Sequence, residues 1–179
     1  VVDLVTTARF GYRTAFVGLA ALFLFLRILP LGALPPAWPG PDLLLCLTIV
    51  WVLRRPNYVP VGLIVVVFLV DDLVTGRPPG LWTLVALLGT EFLRSRAVLT
   101  RDLPFVIEWL MAGAVIMAMS LSYRAIMLVF MVPMTGLGPV LLQYLSTMIA
   151  YPAVVVASAW VLGLRKTAPG QVDALGHKL

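Results

Sequence analysis

Apolar residues run along this chain in long unbroken stretches, and polar residues collect at the breaks between them. The clearest stretch lies between Arg124 and Arg165, where residues 125–164 hold no charge. A helix needs about 20 mostly apolar residues to cross a hydrocarbon layer of ~30 Å. The stretches lack the period-two alternation of an outer-membrane barrel, so they predict helices rather than strands. Six spans are expected, at about 14–34, 41–55, 59–75, 80–93, 104–122 and 139–164.

The breaks have their own chemistry. Four prolines between Pro35 and Pro41 make a stiff loop, because proline fixes φ and offers no amide donor. Asp42 follows, and a carboxylate suits the first turn of a helix. Trp51, Arg54 and Arg55 close the second span, and its short length calls for snorkelling to the interface. Pro56 to Pro60 and Thr75 to Gly80 read as turns. Arg94, Arg96, Arg101 and Asp102 read as a charged loop, Pro133 to Pro139 as another break, and Pro152 as a kink. Arg165 to Leu179 is a polar tail.

Composition sharpens the picture. The chain is 61% hydrophobic with a mean hydropathy of +1.04, against roughly 45–50% apolar content in soluble domains. The expected fold is therefore an all-α integral membrane protein, a single bundle of about six transmembrane helices over residues 1–179. The first apolar run has no A-x-A-like site before Asp42, which speaks against a cleaved signal peptide. The net charge of +5 does not point to nucleic acid, since the basic residues sit near span ends. With the N-terminus inside, Arg9, Arg13, Arg54, Arg55, Arg94, Arg96, Arg101, Arg165, Lys166 and Lys178 are cytoplasmic. Only Arg77 and Arg124 fall in outer loops. That bias predicts both termini in the cytoplasm.

Few residues are suited to catalysis. One cysteine, Cys46, and one histidine, His177, leave no zinc-type ligand cluster and no disulfide. No nucleotide, haem or phosphate motif is present, so neither a cofactor nor a catalytic residue is expected. Asp71 and Asp72 are neighbours on a helix and point about 100° apart. They lack the opposed geometry of an acid–base pair. The expectation is that Asp72 braces the Thr75–Gly80 turn while Asp71 faces headgroups or water. Glu91 is expected to pair with Arg94 one turn on, Glu108 to sit beside the positive end of its helix, and Arg27 to snorkel outwards. The methionines of the last third read as packing filler.

A family resemblance rests on Pro41-Asp42-Leu43-Leu44-Leu45, the aromatic-basic helix end from Trp51 to Arg55, Asp72-Leu73, Gly76, and Pro79-Gly80-Leu81. Together these resemble the bacterial rod shape-determining MreD family. In that family an Asp-Leu step ends one span and a glycine-leucine step opens the next. Asp72 and Gly80 match those positions, and Pro79 replaces the residue before the glycine. Arg-Arg-Pro and Arg-Pro-Pro-Gly resemble the alphaproteobacterial branch. The motifs cover about a third of the chain. The resemblance implies a non-enzymatic component of the cell-elongation machinery in the bacterial inner membrane. Its implied partners are an MreC-like bitopic protein, the actin-like MreB, the glycosyltransferase RodA and a penicillin-binding transpeptidase. Asp72, Pro79, Gly80, Asp42, Arg54 and Arg55 become the structural or partner-contact candidates. MreD-type folds are also similar to the S components of vitamin transporters, which implies an alternative role as a small-molecule-binding subunit.

Overall fold

The computed structural model describes residues 2–29, 39–100, 103–133 and 136–161. Most of the proline loop, Arg101, Asp102, Met134 and the tail from Arg165 with His177 lie outside the described residues. Six helices follow one another: α1 (Val2–Ile28), α2 (Leu43–Arg54), α3 (Val61–Thr75), α4 (Leu81–Thr100), α5 (Phe105–Val129) and α6 (Leu137–Val161). A 3₁₀ turn, Pro56–Tyr58, links α2 to α3. No strand occurs among the described residues.

Two helix boundaries differ from the sequence expectation, for one shared reason. A charge near a span end does not stop a helix. α1 starts well before Thr14. α4 continues through Arg94 and Arg96, which sit on a helix rather than in a loop. Pro104 stands at the start of α5 with extended geometry, φ −60° and ψ 153°.

Among the described residues three segments are long and apolar enough to cross a membrane: Arg9–Ile28, Phe105–Val129 and Leu137–Trp160. α2 has 12 residues, or about 18 Å at 1.5 Å per residue, well short of the ~30 Å hydrocarbon layer. It is apolar all round, and a helix of that kind belongs in an interior. Ten of its residues, Leu44 to Leu53, are buried. α4 and α6 pack on it directly, α3 and α5 pack on α4, and α1 lies against α2, α3 and the 3₁₀ turn. Phe16 of α1 meets Trp51 with ring centroids 5.3 Å apart, and Tyr12 stacks on Tyr58 at 4.5 Å.

Glycine brings α4, α5 and α6 close. A Cβ on Gly89 would fall on the Met119 thioether, and one on Gly113 would fall on the end of Met148. Close backbone approach of this kind is how helices associate where the surroundings are apolar. α6 runs through Pro152, which has no amide hydrogen for the carbonyl of Met148 four residues back. The indole Nε1 of Trp109 donates to that carbonyl at 3.0 Å. A tryptophan of α5 thus supplies the donor that proline removes.

Candidate functional site

Polar side chains gather at the two ends of the bundle. At one end lie the C-termini of α1 and α3 and the N-termini of α2 and α4. Asp42 caps α2, its Oδ1 accepting from the Leu45 amide at 3.0 Å. Its own amide donates to Thr147 Oγ1 of α6 at 3.0 Å. Asp71 is fully buried and accepts from Arg27 Nη1 at 2.7 Å and Arg77 Nη1 at 3.5 Å. Arg27 therefore turns inwards to a partner instead of snorkelling, and Asp71 faces neither headgroups nor water. A buried carboxylate needs such a partner, and an arginine one helix away supplies it more cheaply than solvent reached through lipid.

Asp72 points away from that pair, as the ~100° step between helical neighbours requires. Its Oδ2 accepts three hydrogen bonds: from the Gly80 amide at 3.0 Å, the Thr83 amide at 3.1 Å and Thr83 Oγ1 at 2.9 Å. The carboxylate caps the start of α4 from the end of α3. Gly76 ends α3 at φ +66° and Gly80 precedes α4 at φ +88°, both left-handed conformations that suit glycine. Pro79 is exposed in the turn between them.

At the opposite end, Arg54 of α2 lies 3.6 Å from Glu108 of α5, and both are almost wholly buried. Tyr151 donates its hydroxyl to the same Glu108 oxygen at 3.4 Å. Glu108 stands in the first turn of α5, beside its positive end as expected, and is an interior ion-pair partner as well. Arg94 is held by Glu91 at 2.9 Å and donates to the carbonyls of Pro56 at 2.5 Å and Val59 at 2.6 Å. That clamps the 3₁₀ turn onto α4. Arg55 closes α2 through its backbone amide, which donates to Trp51 at 2.8 Å. Asp42, Asp72, Gly80 and Pro79 thus share one end of the molecule, and Arg54 and Arg55 share the other.

A cavity of about 280 Å³ opens at the first end between α2, α4, α5 and α6. Arg77, Trp82, Tyr123, Arg124, Gln143 and Asp42 are among its walls. Arg77 lies over the Trp82 ring, 5.1 Å from its centroid, and Tyr123 meets that ring edge-on at 5.6 Å. The indole Nε1 of Trp82 is buried with no hydrogen-bond partner among the described residues. Sequence reasoning missed this cavity. Its signal was present in one respect: Arg77 and Arg124, the two basic residues assigned to outer loops, both border it. No group of residues suited to a metal ion occurs among the described residues.

The described residues form an all-helical protein with three helices long and apolar enough to span a membrane. Comparison with protein-family models, with curated proteins and with solved structures gives no match.

Proposed function

We propose that this chain is a non-catalytic component of the bacterial cell-elongation machinery, a multi-pass inner-membrane protein that holds the transmembrane helix of an MreC-like partner. In this reading the six helices all cross or line the bilayer, and both termini are cytoplasmic. One observation carries the proposal. Each acidic side chain whose surroundings are described, Asp42, Asp71, Asp72, Glu91 and Glu108, is engaged in capping a helix or pairing with an arginine. Charges used in this way make a rigid bundle rather than a reaction centre. What remains for recognition is the outer surface, where α6 carries Leu137, Leu141, Leu145 and Ile149 exposed at four-residue spacing. The motifs around Asp72 and Gly80 supply the resemblance to MreD, and Asp72 sits at the turn where that resemblance is most specific.

Depletion in a rod-shaped host tests this reading. Cells should round up, and a bitopic membrane protein should co-purify with the chain in mild detergent. Depleted cells that stay rod-shaped, with no membrane protein captured, refute it. The cavity beside Trp82 favours a second reading, a small-molecule-binding subunit akin to transporter S components. Tight binding of a vitamin-sized ligand by the isolated chain would put that reading first.

A further inference from the structure

We propose that the cavity between α2, α4, α5 and α6 is a binding site for a phosphate ester, presented by the headgroup of an anionic lipid. The inference stands apart from the scaffold reading, since it concerns what the bundle binds at its end and not what it holds at its side.

The walls favour an anion. Arg77 and Arg124 both border the space, against one carboxylate, Asp42. That carboxylate already accepts from the Leu45 amide. A guanidinium has five donors in a fixed fork that matches phosphate oxygens. Arg77 is held in place by the Trp82 ring on one side and reaches Asp71 through a single nitrogen at 3.5 Å, so its orientation is set before any ligand arrives.

The setting favours a lipid. The volume of 280 Å³ is near the lower limit of small-molecule pockets, roughly 300 Å³, which suits a headgroup and leaves no room for acyl chains. Those chains have a path. Met127 and Pro133 line the cavity, and the residues between them, Leu128 to Val132, are exposed and apolar. On the other side Val140 lines it, flanked by exposed Leu137 and Leu141. A cationic pocket opening onto an apolar rim is the shape of an amphiphile with an anionic head.

The experiment uses the full chain in neutral detergent, with binding read by native mass spectrometry. Three probes separate the sources of the chemistry: dioleoyl phosphatidylglycerol, dioleoylglycerol without the phosphate, and glycerol 3-phosphate without the acyl chains. Phosphatidylglycerol should be retained at one per chain. Arg124→Gln should weaken that retention about tenfold, the scale of one charge-assisted contact, and Arg13→Gln, exposed on α1, should leave it unchanged. Ser120→Phe, which places a ring in the cavity, gives an independent variant and should abolish retention. Glycerol 3-phosphate bound as tightly as the lipid would keep the phosphate chemistry and move its source to soluble esters. Equal retention of dioleoylglycerol, or phosphatidylglycerol affinity unmoved by both cavity variants, overturns the proposal. Loss of lipid binding with partner capture intact would leave the scaffold reading untouched.

Discussion

Asp71 and Asp72 are adjacent, equally buried and differently constrained. The partners of Asp71 are two arginine side chains, 31% and 23% exposed, which can swing to headgroups if the carboxylate is removed. The partners of Asp72 are two backbone amides and a buried threonine hydroxyl, fixed by the Gly76–Gly80 turn. They have nowhere to go. Asp72→Ala should therefore lower stability by about 2–3 kcal/mol, the cost of stranding donors that a charged acceptor had satisfied, and Asp71→Ala by less. Thermal unfolding in detergent checks the order, and a larger loss from Asp71→Ala would reverse the argument. The bracing of this turn was legible in the sequence, because Asp72 stands four residues before the Gly76-Arg77-Pro78-Pro79-Gly80 break. The inward turn of Arg27 was not. Its partner lies 44 positions away, and nothing local separates a snorkelling arginine from a paired one.

At the scale of helices, the sequence located the apolar runs but not where their helices end. Hydrophobicity marks the part of a helix that sits in an apolar environment, and α1 and α4 extend beyond that part into segments that carry charge. Pro152 illustrates the other limit. α6 continues as one helix through Pro152, and Trp109 donates to the Met148 carbonyl that the proline leaves without an amide. The pair yields a double-mutant test. Trp109→Phe should cost about 1 kcal/mol, a typical net hydrogen bond. In a Pro152→Ala background the cost should fall, because the alanine amide then satisfies the Met148 carbonyl within the helix. Equal costs in both backgrounds would show that the indole bond does not replace the missing donor. The buried state of Glu108 belongs to this scale too: only the assembled bundle brings Arg54 of α2 and Tyr151 of α6 onto it.

Taken whole, the described residues form a bundle whose short α2 is buried from Leu44 to Leu53 and whose acidic side chains of described surroundings cap a helix or pair with an arginine toward its two ends. Its broad class was readable from apolar runs alone, since no soluble domain of this size can hide so much apolar surface. The cavity was not readable, because it is made by residues of four helices whose juxtaposition no single segment encodes. The central claim is that this bundle acts by holding a partner's helix, and that α6 offers one exposed stripe for it. Photoreactive residues placed singly at Leu137, Leu141, Leu145 and Ile149, and at Val66 and Leu73 on α3, test it in growing cells. The account predicts adducts with one bitopic membrane protein, at positions spaced three or four apart on a single helix face, as packed helices require. Adducts with lipid alone at every position, in cells whose shape still depends on the chain, would contradict it.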